Sequence, residues 1–91
     1  MDFEFDPAKS LANKEKHGID FEDAQELWAD GDLLVAPTRS DSEPRFIAVG
    51  MIEGRLWTAV FTPRNGLTRL ISVRRSRGEE VERYERQRKD H

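Results

Sequence analysis

"FIAVGMIEGRLWTAVFTPRNGLTRLISVRR", residues 46–75, contains three apolar runs separated by two turn-forming dipeptides. Glu53-Gly54 divides the run 46–52 from 56–62, and Asn65-Gly66 divides the latter from 67–74. A short Xaa-Gly break between β-branched and aromatic runs predicts an antiparallel hairpin, so three strands are expected here in succession. Ile47-Ala48-Val49 and Ala59-Val60-Phe61 are apolar at successive positions. That pattern suits a sheet covered on one face and partly occupied on the other. Read as a regular strand, 67–75 places Arg69 and Arg75 on the face of Val73, and Arg74 on the face of Leu70 and Ser72.

The flanks complete the fold. Residues 33–36 read as a fourth strand ended by Pro37, followed by the polar loop TRSDSEP. Upstream, Phe3 and Phe5 alternate about Glu4 in a short extended start. Asp6-Pro7 reads as an N-cap with proline at the first helical position, and His17-Gly18 as the stop. Ala8, Leu11 and Ala12 give this helix a narrow apolar stripe. A second helix is expected from Asp20, with Ile19 and Ala24 as a hydrophobic staple and Phe21, Ala24, Leu27 and Trp28 as its buried face. Downstream, Ser76-Arg77-Gly78-Glu79 matches the S-x-x-E capping box and opens a last helix that can bury only Val81 and Tyr84. Glu79–Arg83, Glu82–Arg86 and Glu85–Lys89 are spaced to pair along it. The expectation is one α+β domain over residues 1–91: short N-terminal strand, two helices, four-stranded antiparallel sheet, C-terminal helix.

Composition narrows the chemistry. The chain has no cysteine and two histidines, His17 and His91, so neither a disulfide framework nor a protein-built zinc site is expected. No Gly-rich phosphate loop or nucleophile elbow is present, and no cofactor is expected. No apolar run approaches 18 residues, which argues against a helical membrane span, and MDFEFDPAKS lacks the features of a signal peptide, so the cytoplasm is the expected location. The net charge of −3 hides an asymmetry. Residues 1–44 carry 4 Lys/Arg against 12 Asp/Glu, and residues 45–91 carry 11 against 6, so a basic second half follows an acidic first half. Such a local positive field can hold an anion or nucleic acid, or can be a solvated surface.

The arginines are the main chemical candidates. Guanidinium forks match phosphate oxygens and stay charged, so Arg64, Arg69, Arg74, Arg75 and Arg77 can grip a phosphodiester, or can pair with the acid-rich helices. His17, after Lys16, can transfer protons near neutral pH, or can simply end its helix against the carbonyl dipole. Tyr84 can offer a hydroxyl or pack its helix.

Two blocks of this sequence resemble the BrnT family of type II toxins. "FEFDPAKSLANKEKHGIDFEDA", residues 3–24, is similar to its F-E-W-D-x-x-K, N-x-x-K-H-G and F-E-x-A signature, with Phe5 in place of the usual tryptophan. "RLISVRRSRGEEVERYE", residues 69–85, is similar to its R-x-I-S-x-R block with a later E-x-x-x-Y; Val73 and Ser76 stand where alanines are usual. The resemblance implies a RelE/ParE-like α+β fold and a metal-independent endoribonuclease that inhibits translation. It implies neutralisation by a BrnA-type ribbon-helix-helix antitoxin, with operator DNA contacted only through that complex. Carried over by position, Lys16 and His17 match the K-H-G motif, Arg69 and Arg74 the R-x-I-S-x-R block, and Glu80 and Tyr84 the later acid and tyrosine, while Arg64 is a looser match in a turn where the family commonly has a basic residue. The expected catalytic residues are Arg64, Arg74, His17, Lys16 and Tyr84; Arg69, and from their place at the strand end Arg75 and Arg77, are expected to contact RNA. Two other classes stay open: a ParE-like gyrase poison, and an antitoxin-docked corepressor without catalysis.

Overall fold

The computed structural model describes residues 1–89; His91 lies outside them. Strands β1 (Phe3–Glu4), β2 (Leu34–Thr38), β3 (Arg45–Ile52), β4 (Arg55–Arg64) and β5 (Leu67–Arg75) form one sheet in the order β1-β5-β4-β3-β2. Helix α1 (Pro7–His17) and a 3₁₀ helix (Asp23–Ala29) separate β1 from β2, and α2 (Gly78–Lys89) ends the described chain. The fold is therefore α+β, but the sheet has five strands and is mixed. β2 to β5 pair antiparallel, as the turn dipeptides required, whereas β1 joins β5 in parallel through Phe3↔Thr68 and Glu4↔Arg69. Both hairpins turn through paired positive φ angles, 48° and 79° at Glu53-Gly54 and 53° and 78° at Asn65-Gly66, whose twist matches that of the flanking strands. Pro37 does not end β2. It pairs with Phe46 within it, because an edge strand has one side on which a missing donor costs nothing.

One sheet face carries the main core. Ala48, Trp57, Ala59, Phe61, Leu70 and Val73 pack there under Ile19, Phe21, Ala24 and Leu27. Phe21, Ala24 and Leu27 recur every third residue, the period at which a 3₁₀ helix stacks its side chains, and each is almost fully buried. Where a second α-helix is expected the chain forms a 3₁₀ helix over Asp23–Ala29, with Phe21 in the turn before it. It comes so close to β3 that a Cβ on Gly50 would lie 3.0 Å from both Leu27 Cδ2 and Leu33 Cδ1.

Helix α1 reverses its expected orientation. Leu11 is 64% exposed, and Ala8 and Ala12 face solvent, while Ser10 and Asn13 are buried. The reason is hydrogen bonding. β1 pairs with only two residues of β5, so beyond Arg69 the outer edge of β5 is open. Asn13 fills it: Nδ2 donates to Val73 O at 2.9 Å and to Ile19 O at 2.7 Å, while Oδ1 accepts from Val73 N at 3.1 Å. Ser10 Oγ likewise accepts from Phe21 N at 2.9 Å. The helix is docked by amide geometry rather than by an apolar stripe. Its ends match expectation: Asp6 Oδ1 accepts from Ala8 N, and the Gly18 N–H donates to Lys14 O.

Candidate functional site

The position of each β5 arginine depends on one irregularity. Val60 of β4 pairs with Ser72, and the next residue, Phe61, pairs with Leu70, so Ile71 is an extra residue on β5. This bulge reverses the alternation. Leu70 and Val73 both enter the main core, three residues apart. Arg69, Ser72 and Arg74 consequently share the opposite face, opposite Thr62, Val60 and Thr58. The regular-strand assignment, which set Arg69 with Val73 and Arg74 with Leu70, is corrected by that extra residue.

α2 covers only one end of this second face. Glu80 and Tyr84 are buried there against Thr58 and Val49, while Ile47, Val60 and Ser72 further along are half-buried. The uncovered part is framed by arginines. Arg64 ends β4, exposed and without an ion pair among the described residues. Arg69 is half-buried, its Nη1 3.5 Å from Glu4 Oε1. Arg45 begins β3, with Nη2 3.6 Å from Glu43 Oε1. Since Phe46 stacks on Phe61 in the core, its neighbour Arg45 projects from the arginine face, level with Thr62. Arg45 was not singled out from sequence. The same alternation, applied to Phe46 and Ala48 as core residues, is the signal that places it.

Arg74 borders this surface but is already bonded. Its Nη1 and Nη2 donate to Glu80 Oε1 and Oε2, both at 2.8 Å, and Nη1 reaches Arg75 O at 3.3 Å. Glu80 also accepts from the Arg77 N–H at 2.8 Å and from Thr58 Oγ1 at 3.0 Å. The Arg74 fork holds the Glu80 carboxyl down at about 2, against the opposing effect of burial, and the Arg77 and Thr58 donors add to it. Glu80 in turn raises Arg74 above its ordinary value. This knot also replaces the expected Ser76/Glu79 cap. Arg77 O accepts the first helical bond, from Val81 N, and Glu80, three residues on, reaches back to the Arg77 N–H, while Ser76 Oγ lies 2.8 Å from Thr58 Oγ1. Along α2 the recorded ion pair is Glu85–Arg88 at i,i+3, rather than the three i,i+4 pairs.

The other sequence candidates lie elsewhere. Arg75 takes the core-side face, its Cζ 5.5 Å above the Trp57 ring. Arg77 contributes its backbone N–H to Glu80 and leaves an exposed side chain. Lys16 is exposed and His17 half-buried at the end of α1. Asn13, one turn before His17, is bonded to Val73, six residues along β5 from Leu67. The end of α1 is therefore roughly 20 Å from the Arg64–Leu67 pair, at about 3.3 Å per residue. Lys16 and His17 do not meet Arg64 and Arg69 in one site.

Tyr84 is 2% exposed, and its hydroxyl donates to Asp30 Oδ2 at 2.7 Å. Burial, reinforced by Asp30, pushes it up to about 12. For Asp30, burial raises the carboxyl but the donors win. Asp32 N–H, Tyr84 O–H and Met51 N–H together hold it below its ordinary value. Tyr84 thus ties α2 to the end of the 3₁₀ helix. Tyr84→Phe is expected to lose about 1–2 kcal/mol in urea unfolding at pH 7. Because the folded value is raised, the wild-type contribution is complete below about pH 10 and fades as pH rises toward about 12. Stability curves of the two proteins should therefore converge in that alkaline window. A cleft of about 630 Å³ adjoins this tie, lined by Glu26, Asp30, Asp32, Met51, Glu53 and Arg88 among others. Its acidic rim opposes a polyanion, which the arginine face attracts.

Comparison with known proteins bears on residues 5–80, which match the family described as "Ribonuclease toxin, BrnT, of type II toxin-antitoxin system". No curated protein matches the chain.

Proposed function

This chain belongs to the BrnT family of ribonuclease toxins of type II toxin–antitoxin systems, and from that premise we propose that it cleaves RNA on the open arginine face of its sheet. The observation that carries the reading is Arg64, exposed and unpaired among the described residues, beside Arg69 on a face that α2 leaves uncovered. In this reading a ribose 2′-oxygen attacks the adjacent phosphate without a metal, and the guanidinium groups stabilise the charge that gathers on the pentavalent phosphorus. Arg74 acts from the border, where it stays bidentate on Glu80 and adds its charge to the field around the phosphate. Lys16, His17, Arg75 and Arg77 lie outside that face or at its far end, so their contribution would be to a longer stretch of RNA.

Membership in a type II family entails an antitoxin partner. We take that partner to be a BrnA-type ribbon-helix-helix protein, through which any operator DNA is contacted, and the RelE/ParE-like toxins as the wider fold group. No helix of the described residues is long and apolar enough to cross a membrane. In this reading the cleaved RNA serves translation, and the toxin acts in the cytoplasm.

The test is cleavage of single-stranded RNA by the purified chain with EDTA present, beside Arg64→Ala. Fragments ending in 2′,3′-cyclic phosphate are expected, with the variant slower by about 10²-fold, the usual cost of removing one group that stabilises transition-state charge. Arg64 makes no ion pair among the described residues, so the unfolding midpoint should not move. Equal rates for the two proteins would remove Arg64 from the site. Inhibition of gyrase supercoiling without RNA cleavage would instead favour the ParE-like reading.

A further inference from the structure

Among the described residues, two buried side-chain polar atoms have no hydrogen-bond partner: Glu4 Oε1 and Arg45 Nε. Glu4 lies on the edge strand β1 and Arg45 on β3, with two strands between them, yet the register sets them in one row across the arginine face. Glu4 of β1 is opposite Arg69 of β5, Arg69 is opposite Thr62 of β4, and Arg45 of β3 is level with Thr62. Phe3 packs edge-on against Trp28 on the core side, so Glu4 projects to the arginine side. The row spans three strand spacings, about 14 Å, and long arginine side chains can close much of that distance.

The unmade bonds are of opposite kinds. One end of the row has an acceptor without a donor, and the other has a donor without an acceptor. A ribonucleotide supplies both complements, a 2′-hydroxyl donor beside anionic phosphate oxygens. A deoxyribonucleotide lacks the hydroxyl.

We propose that Glu4 is the group that accepts the 2′-hydroxyl proton, with Arg69 and Arg64 on the scissile phosphate and Arg45 on a neighbouring phosphate. The assignment rests on the ribonuclease reading above. In the step, the Glu4 carboxylate takes the proton from O2′ as the O2′–P bond forms and the P–O5′ bond breaks. The departing 5′-oxygen takes a proton from water, and Glu4 returns its own to the hydroxide so formed. The other sequence-derived proton carriers are poorly placed for this. His17 and Lys16 belong to the far end of β5, and the Tyr84 hydroxyl is bonded to Asp30 beneath α2. Arg69 lies 3.5 Å from Glu4 Oε1 without donating a hydrogen bond to it. Drawn onto a phosphate, the guanidinium uncovers the carboxylate, so substrate binding itself exposes the base.

The experiment compares binding of a ribonucleoside 3′-monophosphate with its 2′-deoxy counterpart, by calorimetric titration of wild type, Glu4→Gln and Glu4→Ala. Cooperative unfolding of each protein serves as the fold check. Wild type is expected to prefer the ribonucleotide at least fivefold, and Glu4→Ala to prefer it less than twofold. In parallel, Glu4→Gln should slow RNA cleavage by about 10²-fold or more with KM changed less than threefold, because an amide keeps the shape but cannot take the proton. Wild type that does not discriminate, or Glu4→Ala that discriminates as well as wild type, overturns the row as a ribose-phosphate site. Cleavage by Glu4→Gln at the wild-type rate overturns Glu4 as the base. Discrimination by a wild type that cleaves no RNA supports the row and overturns the ribonuclease reading instead.

Discussion

Asn13→Ala is expected to destabilise the chain by about 3–5 kcal/mol, lowering the urea midpoint without changing the slope. The substitution leaves three buried backbone groups unpaired: the Val73 N–H, the Val73 carbonyl and the Ile19 carbonyl. Each such group costs about 1–3 kcal/mol when it is stranded away from water, and water entering the vacated space recovers part of the sum. Asn13→Asp separates this account from one based on volume. The carboxylate matches the amide in size but sets an anionic oxygen against two carbonyls, so it should be no more stable than alanine. An aspartate variant within about 0.5 kcal/mol of wild type, the range of an inconsequential substitution, would show that α1 is held by packing instead.

The second large effect is expected at Glu80. Four hydrogen bonds converge on its carboxylate, from both Arg74 Nη atoms, the Arg77 N–H and Thr58 Oγ1. Glu80→Gln should cost about 3 kcal/mol at pH 7, because breaking one partner of a largely buried pair strands the other. The pH dependence gives an independent measure of the same interaction. The folded carboxyl sits at about 2 against an ordinary 4.5, so protons bind the unfolded chain first as pH falls. The stabilisation is complete above about pH 4.5 and disappears as pH falls toward about 2, and the shift corresponds to about 3 kcal/mol at roughly 1.4 kcal/mol per unit. Urea midpoints measured from pH 7 down to 2 should therefore fall in the wild type and converge on those of Glu80→Gln. Parallel curves would show that the carboxylate is not the titrating group.

The sheet was legible because its turns are local chemistry. Asn65-Gly66 and Glu53-Gly54 adopt the left-handed conformations that tight hairpins need, and each fixes an antiparallel pair wherever the strands lie. β1 escaped notice as a sheet member because two residues carry no pattern, and its partner is the last strand rather than a neighbour in sequence. α1 was misread for a different reason. Its apolar stripe was real in sequence, but three hydrogen bonds on Asn13 outweighed the burial available to Ala8, Leu11 and Ala12. The three-residue spacing of Phe21, Ala24 and Leu27 was visible, yet helices of either pitch accept it until contact with Gly50 decides.

For the candidate site, the basic second half of the chain and its strand-end arginines were evident. Which arginines share a face was not, because Ile71 pairs with nothing on β4 and no property of isoleucine announces a bulge. Arg74 was legible as a phosphate ligand only while Glu80 was out of view; six residues apart in sequence, the two meet because α2 folds back onto the sheet. Arg45 lay behind a proline at the end of a polar loop, where a strand start is hard to place.

Ile71 also sets a length rule for the chain. With it, Leu70 and Val73 point inward while Arg69 and Arg74 point outward, five residues apart, an odd interval that an unbroken strand would place on opposite sides. Deleting Ile71 would restore uniform pleating and keep every one of those assignments. Inserting a residue between Ser72 and Val73 would instead drive Val73 out and Arg74 into the hydrocarbon interior. The strand thus tolerates the loss of a residue at one point and not a gain at the next, whereas the polar loop 39–44 can absorb either. In a library of length variants, functional members should be one residue short at Ile71 far more often than one residue long after Ser72.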